Sequence, residues 1–235
     1  YKRQPYQRKC RKPFFVSLIF TNADAMISFK EQLPDFAGRY HGGSFMTVKP
    51  PDFGGKPYRS LDYHLRNRYG EKIYKVSLDG GMTCPNRDGT LGKCGCIFCS
   101  EGGSGDFASS SCLSVTDQIT AGIEMVSKKI EDGKYIAYFQ AFTNTYGPIE
   151  KLESLYMEAI NDPRIVALAI GTRPDCLPPE VLDLLERLNQ IKPVFVELGL
   201  QTIHEDTASF IRRGYPLSCF DEAILNLHKI GVLTV

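Results

Sequence analysis

Short apolar segments recur along most of the chain with one amphipathic segment between each pair, and few architectures accept that alternation. Residues 73–78, 135–139, 165–170, 194–200 and 232–235 read as buried strands, each a compact run of aliphatic, β-branched and aromatic residues. Between them, Ile119, Ile123, Val126 and Ile130 keep helical spacing before Gly133, and Leu152, Leu155, Tyr156, Ala159 and Ile160 do so after Pro148. A third helix carries Val181, Leu184, Leu185 and Leu188. A fourth carries Phe220, Ala223, Ile224 and Leu227, is expected to open with Ser218 as its cap, and stops at Gly231. After the first gap the strands start about 30 to 38 residues apart, which is the length of a βαβ unit. Consecutive right-handed units of this kind build a parallel sheet or a barrel. The expected fold class is therefore α/β, a partial TIM-type (β/α) barrel of parallel strands. The last strand runs into Val235, so the barrel is expected to be truncated at the C-terminus.

Ahead of the first strand the text changes character. Residues 1–57 show no sustained periodicity and contain turn-rich runs such as Gly42-Gly43-Ser44 and Pro50-Pro51-Asp52-Phe53-Gly54-Gly55, which predicts an irregular N-terminal arm followed by a barrel domain over 58–235. Met46 precedes the second run, and residues 1–45 are expected to lie outside the native fold. The start imitates a signal peptide: six basic residues among the first twelve, an apolar stretch at 14–20, then Ala23-Asp24-Ala25. That stretch, broken by Ser17, is too short to span a membrane. Lys+Arg 28 against Asp+Glu 27 leaves a formal charge of +1, so any surface for a polyanion must be local.

Eight cysteines in 235 residues are more than stability requires, because a chain of this length can bury a continuous core unaided. Cys84, Cys94, Cys96 and Cys99 crowd the segment after the first strand, whereas a secreted disulfide framework would spread them. Clustered thiols suit a metal in a reducing, cytoplasmic compartment. The gap between residue 78 and the helix near Thr116 is far longer than an ordinary βα loop of about 2–6 residues. It also sits at the C-terminal end of a strand, where such folds place their chemistry. Cys96 and Cys99 form a C-x-x-C pair with Cys84 twelve positions upstream, and the glycines between them allow the loop to close on a cluster. A structural zinc knot drawn from four of Cys84, Cys94, Cys96, Cys99 and Cys112 is the competing reading, and would make the chain a binding module without catalysis.

The run Leu78-Asp79-Gly80-Gly81-Met82-Thr83-Cys84-Pro85-Asn86-Arg87-Asp88-Gly89-Thr90, followed by Gly95-Cys96-Ile97-Phe98-Cys99, resembles the radical S-adenosylmethionine (SAM) superfamily. More narrowly it is similar to a bacterial YhcC/YtqA-type family related to the elongator catalytic subunit, and the resemblance takes in residues 138–146, 171–176 and 197–202. It implies that Cys84, Cys96 and Cys99 ligate a [4Fe-4S] cluster, leaving one iron for SAM. One electron would then cleave SAM to methionine and a 5′-deoxyadenosyl radical that abstracts hydrogen from the substrate, the electron coming from a donor such as flavodoxin or ferredoxin. Cys94 departs from the family pattern and offers a rival ligand, but only Cys96 keeps the two-residue spacing around Phe98.

The resemblance suggests SAM-facing roles for Glu197 and Gln201, and Phe98, Gln140, Asn144 and Arg173 are further expected cofactor-binding residues. Alternation in the fourth strand puts Glu197, Gly199 and Gln201 on one face, directed into the barrel, where a carboxylate needs a partner. A structural ion pair is the other reading of Glu197. Gln140, Thr143 and Asn144 end the second strand, where many radical-SAM enzymes carry a Gly-Gly-Glu segment that is absent here; an ordinary turn is the alternative. Arg173 can meet a carboxylate of SAM or substrate, or close a loop salt bridge with Asp175. Arg212 and Arg213 read as a solvated helix end. Cys10, Cys112, Cys176 and Cys219 read as small core residues or free thiols, and His41, His64, His204 and His228 as structural or surface groups.

Between positions 56 and 75 six basic residues, Lys56, Arg59, Arg66, Arg68, Lys72 and Lys75, interleave with Tyr58, Tyr63, Tyr69 and Tyr74. Basic groups pair with phosphates and aromatics stack on unpaired bases, so this stretch is expected to hold RNA beside the cysteine loop, unless it is a charged helix face with its tyrosines packed on the barrel. Elongator-like resemblance implies a tRNA substrate, modified on a wobble uridine side chain. A small metabolite is the alternative.

Overall fold

The structure, a computed structural model, describes residues 52–106, 108–127 and 133–235. The expected arm therefore lies mostly outside the described residues, together with Met46, Cys10, His41, Ile130 and the signal-like start; residues 52–60 carry no helix or strand.

The elements alternate as the periodicity requires. Helix α1 (Leu61–Tyr69) leads into β1 (Tyr74–Leu78), then α2 (Val115–Ser127), β2 (Tyr135–Phe139), α3 (Ile149–Asn161), β3 (Ile165–Thr172), α4 (Pro179–Ile191), β4 (Val194–Leu198), a short α5 (Glu205–Phe210), α6 (Leu217–Lys229) and β5 (Leu233–Thr234). The five strands form one parallel sheet in the sequential order β1-β2-β3-β4-β5. Sequential parallel order is what one-directional βα winding produces, and it is the order of a β/α barrel rather than of a sheet wound both ways from its centre.

Each face of the sheet has its own core. On the outer face Val76, Leu78, Ala137, Phe139, Leu168, Ile170, Val194 and Val196 pack against Ile119 of α2, Leu152 and Tyr156 of α3, Leu184, Leu185 and Leu188 of α4, and Leu227 of α6. These side chains are almost fully removed from water, the valine, leucine, isoleucine and phenylalanine side chains each contributing about 1.5–3 kcal/mol of hydrophobic stabilisation. On the inner face Ile136, Ala167, Ala169 and Phe195 meet Leu65 of α1 and Ile73. The β3 residues on that face are small, Ala167, Ala169 and Gly171, with both alanines fully buried in this inner core.

Helix α1 occupies the opposite end. Ser60 caps it by accepting from Tyr63 N at 3.2 Å, and Gly70 ends it in the left-handed region (φ 76). Leu65 packs at the N-terminal ends of the strands, and the Tyr69 hydroxyl donates to Val166 O at 3.4 Å. The basic, tyrosine-rich stretch thus lies across the barrel's lower end, away from the cysteine loop that follows Leu78, which corrects the expectation that it holds RNA beside that loop. Lys75 points into the interior, and Arg66 pairs with Asp62 one turn earlier at 3.0 Å.

Two further expectations change. Helix α6 starts one residue before Ser218, with the extended Pro216 (φ -75, ψ 161) as its N-cap and no side-chain capping bond, since proline carries no side-chain acceptor. Arg213 is no solvated helix end: it is 1% exposed, while only Arg212 faces solvent.

Candidate functional site

The long insertion after β1 is tied at both ends by one side chain. Gln118 of α2, 1% exposed, accepts from Asp79 N at 2.8 Å and donates to Asp79 O at 3.0 Å and Leu113 O at 3.2 Å. Within the insertion, local turns set the cysteines. Cys84 O accepts from Arg87 N (2.8 Å) and Asp88 N (3.1 Å), and Cys96 O accepts from Cys99 N (3.1 Å), closing a tight turn over Ile97 and Phe98. The Arg87 guanidinium donates to the carbonyls of Cys99, Ser100 and Glu101 and lies 5.5 Å from the Phe142 ring centroid, anchoring the second end of the loop. Gly95 adopts φ 68, and a Cβ there would come 2.9 Å from Arg87 Nε, so this position requires glycine.

These turns leave Cys84, Cys96 and Cys99 half-buried and Cys94 and Cys112 exposed. Burial pushes the Cys96 thiol up, the hydrogen bond from Asn86 and the charge of Arg173 pull it down, and Cys84 and Cys99 add to the upward shift. Cys96 therefore feels both of the other thiols. Among the described residues no group of three or more His, Cys, Asp or Glu side chains is arranged to hold a metal ion.

Above the sheet, Arg173 follows β3 and is 8% exposed. It grips Asp175 in a bidentate pair (2.9 and 2.7 Å), donates to Arg213 O at 3.0 Å and lies 4.9 Å from the Tyr215 ring centroid. Burial alone would lower its basicity, but hydrogen bonding and charge from Asp175 outweigh this and the net shift is upward. Burial pushes the neighbouring Cys176 thiol up to about 12, so it stays protonated. Arg213 donates to Tyr215 O (2.9 Å), Thr202 O (2.5 Å) and Glu205 (3.0 Å), locking the turn after α5 beneath the cysteine loop.

Glu197 lies in the interior, with one carboxylate oxygen paired to Lys75 of β1 and the other accepting from the Tyr138 hydroxyl at 2.6 Å. Lys75 Nζ also sits 4.3 Å from the Tyr138 ring centroid. Burial, then the charge of Glu197 and its hydrogen bond, raises the Tyr138 hydroxyl above its ordinary range and keeps it a donor. Gln140 bridges the interior to the loop, accepting from Ser77 (3.2 Å) and donating to Ser104 O (2.6 Å). Asn144 is 1% exposed and staples the strand tops by donating to Phe139 O (3.0 Å) and Gly171 O (2.9 Å). Gln201 is exposed with φ 63, its amide folded toward Gly199, and Phe98 is 52% exposed at the rim. The structure thus gathers the three cysteines, Arg173 and Gln140 at one end, sets Glu197 deeper, and leaves Asn144 in a bracing position. From the sequence Asn86 and Arg87 were read only as letters of the motif run, Lys75 as one of six basic residues for RNA and Arg213 as a solvated helix end, so the roles the structure gives them were missed; for Lys75 the usable signal was the same alternation that places Glu197.

A parallel sheet wound in sequence, with a cysteine-bearing insertion after its first strand, is the setting in which residues 84–235 match the family described as the Radical SAM superfamily, and the chain belongs to that superfamily. It is 48% identical over 177 residues to YtqA of Bacillus subtilis (strain 168), covering 75% of this chain and 55% of that protein. It is 43% identical over 157 residues to YhcC of Escherichia coli (strain K12), covering 66% and 50%. The chain spans about half the length of these curated relatives. Among solved structures it is similar to Elp3 of the archaeon Methanocaldococcus infernus with an N-terminal deletion (1-46), at 20% identity and a TM-score of 0.42, covering 64% of this chain and 34% of that one. No helix among the described residues is long and apolar enough to cross a membrane.

Proposed function

We propose that the chain holds a [4Fe-4S] cluster through Cys84, Cys96 and Cys99 and acts as a radical SAM enzyme on a tRNA wobble uridine. The observation that carries the cluster reading is the trio of half-buried thiols on one strand-top insertion, with Cys94 turned out to solvent. When bound, the cluster and SAM supply a one-electron reductive cleavage. The chain's own residues orient and shield. Arg87 and Asn86 fix the loop, and the buried Arg173 guanidinium, paired with Asp175, sets a cation beside the Cys96 side of it. Gln140 and Ser77 present amide and hydroxyl groups toward the interior, and the Lys75–Glu197–Tyr138 group closes it below.

RNA as substrate is supported by the rim of the loop rather than by α1. Lys93 and Arg212 are exposed beside a cavity of about 400 Å³ that also touches Asn86 and Cys94, and the Phe98 ring is exposed nearby in sequence. Cations pair with phosphates and an exposed ring stacks on an unpaired base.

Anaerobic reconstitution with iron and sulfide, followed by metal and labile-sulfide analysis and detection of 5′-deoxyadenosine from SAM, tests the enzyme reading. A colourless protein holding zinc and no labile sulfide overturns it. For the substrate, tRNA binding is measured against salt: Lys93→Glu and Arg212→Glu should flatten the slope while Arg66→Glu and Arg68→Glu leave it unchanged. Salt-insensitive or absent tRNA binding, with unchanged wobble nucleosides in a deletion strain, moves the substrate to a small metabolite.

A further inference from the structure

Asn86 lies two residues after Cys84, 6% exposed, at the meeting point of the cysteine loop and the turn after α5. Its Nδ2 donates to Cys96 Sγ at 3.2 Å, to Arg212 O at 2.8 Å and to Arg213 O at 3.3 Å. An amide carries two N–H bonds, and the two successive carbonyls share one of them, leaving the other for the sulfur. The backbone braces this arrangement: Asn86 O accepts from Gly95 N at 2.8 Å, and Ile97 N donates to Ile211 O at 3.2 Å. Gly214, in the left-handed region (φ +83), passes so close that a Cβ there would come 2.8 Å from Asn86 Oδ1. The carboxamide is thus held from three sides with an N–H directed at a single cysteine.

We propose that Asn86 is a positioning residue for electron uptake: its N–H···S hydrogen bond to Cys96 raises the reduction potential of the cluster. This rests on the reading that Cys84, Cys96 and Cys99 hold one. The step is a transfer of one electron from a low-potential flavin or iron–sulfur protein, which is oxidised, to the cluster, which is reduced from 2+ to 1+; no bond forms or breaks. Reduction enlarges the negative charge on the ligand sulfurs, so a fixed donor stabilises the reduced form more than the oxidised one. Hydrogen bonds to cluster sulfurs are one of the levers by which a protein sets this potential.

The test uses the full chain, reconstituted with iron and sulfide and titrated with dithionite under argon while the reduced cluster is followed by electron paramagnetic resonance. Asn86→Leu, similar in size and without a donor, should keep its iron and sulfide content and reduce at a more negative potential than the unaltered chain. Gly214→Ala, whose Cβ would meet Asn86 Oδ1 at 2.8 Å and Arg173 at 3.4 Å, should disturb the amide and shift the potential by less. An unchanged potential in either variant that carries the cluster overturns the proposal, as does loss of the cluster from both, which would make Asn86 a structural clamp alone. Failure of the unaltered chain to assemble a cluster overturns the cluster reading itself, a different result from an assembled cluster whose potential does not move.

Discussion

Replacing Lys75 by Met leaves the Glu197 carboxylate in the barrel interior with only the Tyr138 hydroxyl as partner. Removing one member of a fully buried pair costs about 3–5 kcal/mol, while exposed pairs are worth about 0–1 kcal/mol. The side chains of Lys75 and Glu197 are 29% and 13% exposed, so the stranded carboxylate is partly rehydrated and the expected loss is about 2 kcal/mol. Glu197→Gln should cost less, since the carboxamide still accepts from Tyr138 and Lys75 extends toward water. The double variant should be less destabilised than the sum of the singles by about 1 kcal/mol, the mark of direct coupling. With a urea slope of about 2 kcal/mol per M, Lys75→Met should lower the unfolding midpoint by about 1 M. Urea titrations of the four proteins, followed by circular dichroism, give the cycle. Strict additivity, or a Lys75→Met midpoint within error of the unaltered chain, would refute the claim that this pair is coupled and partly desolvated.

Other perturbations address the loop, the packing and pH. Cys84→Ala, Cys96→Ala and Cys99→Ala should each abolish iron and sulfide uptake, whereas Cys94→Ala should keep most of it; equal loss at Cys94 would reassign the ligands. Gly122→Ala should destabilise by about 1–3 kcal/mol despite alanine's better helix propensity, because a Cβ there would lie 2.3 Å from Val76 Cγ1; a raised urea midpoint would contradict this. Tyr138 and Tyr156 both have hydroxyls raised above the ordinary 10.0, so their protonated forms stabilise the fold. Their contribution is complete below that value and is lost as pH rises beyond it, so urea midpoints should fall on the alkaline side of about pH 10 and do so less in Tyr138→Phe. Asp162 is held below 3.8, chiefly by hydrogen bonds from Arg164. Its contribution is present above that value and lost as pH falls, so Asp162→Asn should lose its destabilising effect at strongly acid pH.

What could be read in the sequence was what repeats. Strands 135–139 and 165–170 were legible because burial on both faces of a parallel sheet makes short continuous apolar runs, and α3, α4 and α6 because each buries one stripe. Helix α5 was not, since only Ala208 of its six residues is buried and no stripe exists to find. Alternation gave the inward face of Glu197, but its partner depends on which strands converge across the barrel, a fact of the sheet and not of either segment. Arg213 looked like a surface cation because its acceptors are peptide carbonyls, which carry no letter in the sequence. Asn144 looked like a ligand-facing amide for the same reason: it serves the carbonyls of Phe139 and Gly171, exposed where the strands end. Spacing marked the cysteine cluster and the C-x-x-C pair, the family resemblance supplied the choice of three, and the hydrogen bond that singles out Cys96 spans ten residues of turn.

The clamp formed by Gln118 changes what the length of the insertion means for folding. Because one side chain of α2 holds both Asp79 and Leu113, the barrel experiences the insertion as a short, closed connection however its middle is arranged. The middle can then open as a separate unit of low local stability while the strands and helices beneath it stay folded. Oxidative damage or loss of a bound group would be registered first as protease sensitivity between the pinned ends, with little change in the melting of the sheet.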